Sequence, residues 1–330
     1  MPVLSGSAST AVRPMVDGPL RAGRVVTAGR SAVYLRFGAD VLAVLTATAA
    51  RVPCAITLAP TATLPPSLSP GRETCVGDGV LAWQDTVPLR HTLRSQRTVR
   101  REDTARWQDA ARWQNAARGQ AAARCNDAAR WGDPARWELR PRRWWAPAVV
   151  QPGANSVGGA ALLRRLLTHA GGAGSQAWLT EAIDEAARSL AAGRPEEAAE
   201  TCLTMLGLGR GSTPSGDDAV AGLLLGARAL VPLDAVGDGH GPARSLAALA
   251  ERVAAAAPDR TTAVSAALLR HAAAGRAADI LVHAVDVVVD RWPGPRPDEV
   301  LRRLLALGHG SGVDTATGLL AAADHLAVPV

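Results

Sequence analysis

The sequence predicts an α+β protein in which a small N-terminal antiparallel β-domain is followed by a larger, all-helical C-terminal domain. Between residues 24 and 91, short runs rich in Val, Ile, Leu and Thr are separated by Gly, Asp or Pro, as in strands joined by turns. From residue 156 onward, apolar residues recur at spacings of three and four, which is typical of amphipathic helices. Strands and helices do not alternate, so a doubly wound sheet is not predicted.

Three domains follow from this pattern. A β-rich N-terminal domain is expected over 1–92, a low-complexity insertion over 93–145, and a helical domain over 146–330. Within the first, strands are predicted at 31–37, 40–47 and 54–60, with a hairpin at 79–90. In the third, Gly and Pro separate nine predicted helices, at 157–170, 176–192, 195–206, 217–230, 243–256, 261–274, 277–290, 297–307 and 313–326.

The insertion repeats the unit A-R-W-x-x-A from Ala105 onward. A period of six residues would scatter the tryptophans over three faces of a helix, and the Ala and Gly content disfavours a strand. We therefore expect a tandem-repeat expansion in a tolerant loop, partly helical or disordered. The alternatives are a nucleic-acid surface, with Arg on phosphates and Trp stacked on bases, or a protein-contact role.

The net charge of +6 is concentrated in this segment, because Arg94 to Arg143 contains thirteen arginines and six acids. The rest of the chain is nearly neutral, so nucleic acid is not an expected partner. The four cysteines match no zinc pattern and are expected to be reduced. With no signal-peptide h-region and no membrane-length apolar run, the chain is predicted to be cytoplasmic and to have no membrane partner.

The stretch "GLGRGSTPSGDD" (207–218) is the first candidate site. Its glycines, Gly209, Gly211 and Gly216 among them, allow close backbone approaches, Thr213 and Ser215 offer hydroxyls, and two adjacent carboxylates, Asp217 and Asp218, open the next helix. Amides at a helix start bind anions. Helix capping alone is the alternative explanation, although capping does not require three glycines and two neighbouring acids.

Two further stretches are helix entrances of the same kind, and together the three could converge on one small anionic ligand. "DRTTAVSAALL" (259–269) supplies Arg260, Thr261, Thr262 and Ser265, and "GHGSGVDTATGLL" (308–320) supplies His309, Ser311, Gly312 and Asp314. One further helix face, at 279–290, carries three aspartates and a histidine, but a solvated face is expected there and no metal is predicted. No sequence motif indicates a cofactor.

These three stretches, in this order after a β-rich N-terminal half, resemble the AllH family. The resemblance covers most of 156–330 and, more loosely, 24–91, and "TPSGDD" is its most distinctive part. The sequence departs from the family's pattern at Arg210, Ser212 and Ala219, which are loop or packing positions. The 93–145 repeat has no counterpart in the family, which supports its interpretation as an insertion.

The resemblance implies a component of a carbamoyltransferase linked to allantoin and purine catabolism. The family's namesake is a subunit of oxamate carbamoyltransferase, which acts with partner subunits on carbamoyl phosphate, oxamate and oxalurate. Asp217 and Asp218 are then the predicted catalytic residues, and the other polar residues and glycines of the three stretches bind the small anionic substrate. The chain lacks the S-x-R-T phosphate motif and the two-domain α/β pattern of ordinary carbamoyltransferases, so partner subunits are also expected. A non-catalytic ligand-binding or assembly subunit, and nucleic-acid binding through the Arg/Trp repeat, remain alternatives.

Overall fold

A computed structural model describes residues 3–83, 135–154, 156–169, 177–232 and 241–327, with side chains described from residue 6 onward. The chain folds into two compact units. The first comprises residues 1–49 and 55–145, and the second comprises residues 50–54 and 146–330. Each is taken separately below.

The first unit is a closed barrel of eight strands. In chain order the strands are β1 (Val3–Ser9), β2 (Arg21–Ala28), β3 (Ala32–Phe37), β4 (Asp40–Leu45), β5 (Ala55–Leu58), β6 (Glu73–Gly77), β7 (Val80–Trp83) and β8 (Ala135–Trp145). Around the barrel they follow the order β1-β5-β4-β3-β2-β6-β7-β8, and β8 closes on β1. A short helix, α1 (Arg13–Val16), follows β1. The barrel interior is formed by alternate residues of the strands, as in β3, where Val33, Leu35 and Phe37 are buried.

The prediction of a simple antiparallel β-domain is wrong, although the α+β class holds. Two of the barrel's pairings, β1 with β8 and β4 with β5, are parallel, and the other six are antiparallel. Parallel neighbours require a crossover connection, which local alternation of apolar residues does not reveal. Closure also depends on the two strands farthest apart in the sequence, because β8 pairs with both β7 and β1.

Strand β8 lies in the last part of the segment predicted as an insertion. The strand is rich in Arg and Trp, and Leu139 is buried while Arg140 and Arg142 are exposed. Residues 84–134, which contain most of the A-R-W repeat, lie outside the described residues. The division into three domains therefore stays a prediction.

The second unit is built mainly of helices, and each of the nine predicted helices is present. They are α2 (Gly158–His169), α3 (Ala177–Ala191), α4 (Pro195–Met205), α5 (Ser215–Leu230), α6 (Pro242–Arg260), α7 (Ala263–Ala273), α8 (Asp279–Val288), α9 (Pro297–Leu305) and α10 (Ser311–Leu326). The expected all-helical composition is wrong in one detail. Strands β9 (Ala148–Val149) and β10 (Arg276–Ala277) form a small antiparallel pair.

Helix α5 lies at the centre of this unit. Most of its side chains are buried, and it packs against α3, α4, α6, α7, α8 and α10. The extensive burial follows from its sequence, in which Ala, Val, Leu and Gly occupy nearly every position after Asp218. The polar first turn of α5 therefore belongs to a helix whose remaining turns are mostly buried.

The cysteines differ from expectation. Cys54 and Cys202 are buried free thiols, but Cys75 is disulfide-bonded, so the prediction of four reduced thiols is wrong. Within the described residues, no helix combines the length and apolarity needed to cross a membrane.

Candidate functional site

The three predicted polar stretches meet at the first turn of α5. The Thr213 and Ser311 hydroxyl oxygens are 2.9 Å apart and form a hydrogen bond, which joins the first stretch to the third. The second stretch joins the first through Thr262, whose hydroxyl donates to the Ser212 carbonyl at 2.5 Å and accepts from the Ser265 amide at 3.1 Å. The convergence expected from the sequence is therefore present.

Asp217 connects these segments. Its carboxylate accepts a 2.9 Å hydrogen bond from the Gly207 amide and another from the Thr261 hydroxyl. The side chain of Ser265 also faces this carboxylate. Asp217 is only 1% exposed, and burial raises its pKa while these hydrogen bonds lower it. The residue thus fixes the loop after α4 to the entrance of α7.

Helices α5 and α10 lie side by side and run parallel, so their N-termini are at the same end. A Cβ on Gly222 would lie 2.1 Å from the Thr315 carbonyl oxygen, and one on Gly318 would lie 1.9 Å from the Ala219 carbonyl oxygen. Only glycine allows the two backbones to approach this closely.

This reciprocity reflects an internal repeat that the sequence analysis missed. "SGDDAVAGLL" (215–224) and "SGVDTATGLL" (311–320) share six of ten residues, and the preceding loops "MLGLGRG" (205–211) and "LLALGHG" (304–310) also correspond. The signal was present in the sequence but is split by three extra residues, 212–214, in the first copy.

The two copies make the same backbone contacts. The amide of Gly216 donates to the Leu208 carbonyl at 3.0 Å, and that of Gly312 donates to the Leu307 carbonyl at 3.1 Å. A Cβ on Gly216 or on Gly312 would lie 2.0 or 1.9 Å from the carbonyl oxygen of Met205 or of Leu304, respectively. Each copy is therefore a helix, a glycine-rich loop and a second helix, and the two copies pack about an approximate two-fold axis.

Asp218 and Asp314 occupy corresponding positions in the two copies. The Ser311 hydroxyl faces the Asp218 carboxyl, and the Ser215 hydroxyl faces the Asp314 carboxyl. The pKa of Asp218 is raised to about 8, chiefly by burial and also by the charges of Asp314 and Asp217, although hydrogen bonds from the Ser311 and Thr213 hydroxyls lower it. Burial likewise raises the pKa of Asp314.

Several hydrogen-bond donors at the two helix starts are available to a ligand. Within the described residues, the amides of Ser215, Ser311 and Val313 form no hydrogen bond, whereas those of Gly216, Asp217, Gly312 and Asp314 are used by backbone carbonyls. The helix dipoles give this end of both helices partial positive charge. Open amides and hydroxyls at one end of two parallel helices are suited to an anionic group.

The remaining predicted residues have different positions. Gly209 has a φ of +127°, and a Cβ there would lie 2.4 Å from the Ser215 nitrogen, so this glycine shapes the loop. Gly211 has a φ of +91° and nothing near its open side. The Arg260 guanidinium donates to the Leu203 carbonyl at 3.2 Å. His309 is exposed on the second glycine loop.

The described residues contain no group of three or more His, Cys, Asp or Glu side chains arranged to hold a metal ion. On the 279–290 face, the His283 ring packs against Trp292, with ring centroids 4.8 Å apart, and Asp290 accepts a 2.8 Å hydrogen bond from the Gly158 amide. These side chains serve packing and helix capping.

A family model covers the segment that builds this site. Residues 205–323 match the model of the oxamate carbamoyltransferase subunit AllH. The match begins at the end of α4 and ends within α10, so it contains both copies of the repeat and all three polar stretches. It confirms the predicted AllH resemblance over these residues, which are less than half of the chain. No solved structure matches the chain.

Proposed function

We propose that the paired N-termini of α5 and α10 bind a small anionic substrate, and that the chain serves as a ligand-binding component of a carbamoyltransferase. The observation that carries the proposal is the cluster of open donors, in which the amides of Ser215 and Ser311 lie beside the Thr213–Ser311 hydroxyl pair. The AllH match over the same segment supports the reaction class.

Carbamoyl transfer suits such a site because the reaction mainly needs positioning and charge stabilisation. The carbonyl of the carbamoyl group must be polarised while an amide nitrogen attacks it and phosphate leaves. Amide and hydroxyl donors fixed before the reaction stabilise the negative charge that develops on oxygen. Carbamoyl phosphate and oxamate both present anionic oxygens that can accept hydrogen bonds from these donors. Partner subunits can supply the remaining groups.

Ligand-induced stabilisation tests the proposal. Thermal unfolding is measured with carbamoyl phosphate, oxamate and inorganic phosphate, each raised toward saturation. A ligand at about 100 times its Kd stabilises the folded state by roughly 2.7 kcal/mol. Ser311→Ala removes one donor and its contact with Thr213, so the shift should shrink, whereas Thr168→Ala, on the exposed end of α2, should leave it unchanged.

The outcomes separate the candidate functions. A shift with carbamoyl phosphate or oxamate that Ser311→Ala weakens supports the proposed site. Binding without turnover when the partner subunits are supplied would instead favour a non-catalytic assembly or sensing role. If none of the three anions stabilises the chain, the proposed anion site is refuted.

A further inference from the structure

We propose that Asp218 and Asp314 act as one pair that shares a single proton and recognises a primary amide, while Asp217 is a structural residue. This inference rests on the proposed function, because it names the chemical group that the same site distinguishes. It also changes the catalytic assignment made from the sequence, which grouped Asp217 with Asp218.

The internal repeat supplies the first argument. Asp218 and Asp314 are equivalent residues of the two copies, and each faces the serine that begins the other copy's helix. The residue equivalent to Asp217 is Val313, so the repeated arrangement does not require a carboxylate there. The Asp217 carboxylate already accepts hydrogen bonds from Gly207 and Thr261.

The second argument comes from unpartnered buried atoms. Oδ2 of Asp218 and Oδ1 of Asp314 are both buried without a hydrogen-bond partner, and Asp314 as a whole is only 4% exposed. A buried polar atom without a partner costs about 1–3 kcal/mol, and more where it is charged. One unpaired oxygen on each of two equivalent carboxyls indicates that a ligand completes both.

The third argument is charge. The charged groups whose fields reach the Asp218 carboxyl are Asp217 on its own helix and Asp314 on α10, and no cation among the described residues offsets them. Two carboxyls that repel each other in a largely buried site cannot both ionise at low cost, so one retains a proton. Asp218, with its pKa raised to about 8, holds that proton at neutral pH.

A pair consisting of one acid and one carboxylate offers one donor and one acceptor. A primary amide has the complementary groups, because its N–H can donate to Asp314 while its carbonyl oxygen accepts from Asp218. A carboxylate in the amide's place would put a second negative charge beside that of Asp314 and would bring no donor. Sites that hydrogen-bond a substrate group strongly reject analogues in which that group is missing.

Oxamate and oxalate provide the test, because they differ only in NH₂ against O⁻. Binding of each to the full chain is measured by calorimetry near pH 7, and oxalate should bind at least about 100-fold more weakly than oxamate. Asp314→Asn removes the negative charge and adds an N–H donor that can serve a carboxylate, so the preference for oxamate should be largely lost. Asp218→Asn keeps a donor and should retain it. Glu251→Gln, an exposed change on α6, is the control.

Each outcome decides a different claim. Preference for oxamate that is lost only in Asp314→Asn supports the pair. Equal binding of oxalate and oxamate by the unaltered chain overturns the inference but leaves the anion site intact. This comparison uses only the wild-type protein, so it does not depend on whether a variant folds. If neither ligand binds, the amide-recognising pair is overturned, whereas the anion site is decided separately by the unfolding measurements with carbamoyl phosphate and inorganic phosphate.

Discussion

Replacing Asp218 with Asn should make the protein's stability much less sensitive to pH. Burial raises the pKa of Asp218 from 3.8 to about 8, so the folded state binds a proton that the unfolded chain has released over this interval. The contribution of Asp218 to the free energy of unfolding of the wild type therefore falls as pH rises from about 4 to about 8. Above that range this contribution is constant. Asn is neutral in both states and contributes no such slope.

The magnitude follows from the size of the shift. Each pKa unit corresponds to about 1.4 kcal/mol, so a rise of roughly four units sets an upper bound of about 6 kcal/mol. We expect the free energy of unfolding of Asp218→Asn, relative to wild type, to increase by at least about 2 kcal/mol between pH 4.5 and pH 8.

Urea denaturation at closely spaced pH values measures this difference directly. Glu251→Gln, which alters an exposed carboxylate of α6, serves as the matched amide substitution and should follow the wild-type curve. Parallel pH profiles for wild type and Asp218→Asn would refute the reasoning, because they would show that Asp218 ionises in the folded protein as freely as in the unfolded chain.

Three other perturbations test the packing and electrostatics of the same unit. Gly318→Ala should destabilise the fold by about 1–3 kcal/mol in urea, since its Cβ would meet the Ala219 carbonyl, whereas Gly29→Ala, with its nearest contact at 3.7 Å, should be nearly neutral. Asp217→Ala should cost about 3 kcal/mol by the same measurement, because it leaves the Gly207 amide and the partly buried Thr261 hydroxyl unpaired. A loss below about 0.5 kcal/mol would contradict its structural role. Burial lowers the pKa of His271 to about 4, so an NMR titration should show a neutral imidazole ring at pH 5.5. The stability that the neutral ring contributes should be lost as pH falls from about 6.5 to about 4. A titration midpoint near the ordinary value for histidine would contradict this.

The helices of the second unit could be predicted because their signals are local. Apolar periodicity and Gly or Pro at the joints located all nine, with one notable error at α6, which was expected to end near residue 256 but continues through Pro258 to Arg260. Such patterns depend on residues within a few turns of each other. For the same reason, strands β3 and β4 appeared close to their predicted positions.

The barrel could not be predicted because its closure depends on distant residues. Strand β1 has the sequence "VLSGSAS", with few β-branched residues, and β8 has "ARWELRPRRWW", in which four of the 11 residues are arginine. Neither is a strong strand signal by composition. Both segments are strands because each forms hydrogen bonds with the neighbouring strands of the closed sheet. This pairing cannot be recognised from the local sequence.

At the site, the sequence identified the residue types but assigned too similar a role to the two adjacent aspartates. Asp217 and Asp218 lie one position apart on a helix, so they face directions about 100° apart. One points to Gly207 and Thr261, while the other faces Ser311 across the helix pair. The different roles of Asp217 and Asp218 become visible only when α5 is packed against α10, because Asp217 is then fully hydrogen-bonded while one oxygen of Asp218 has no partner.

The differences between the two copies of the repeat bear on how a ligand would be oriented. A perfect two-fold site would bind a two-ended molecule equally well in both directions. Here the first copy has three extra residues, 212–214, and Thr213 from this addition forms its hydrogen bond with Ser311 of the second copy. The hydroxyl environment on the Asp218 side is therefore richer than that around Asp314, which faces Ser215 alone. Because a carbamoyl-transfer substrate must present one particular end to the reacting group, this addition supplies an asymmetry that a plain duplication would lack.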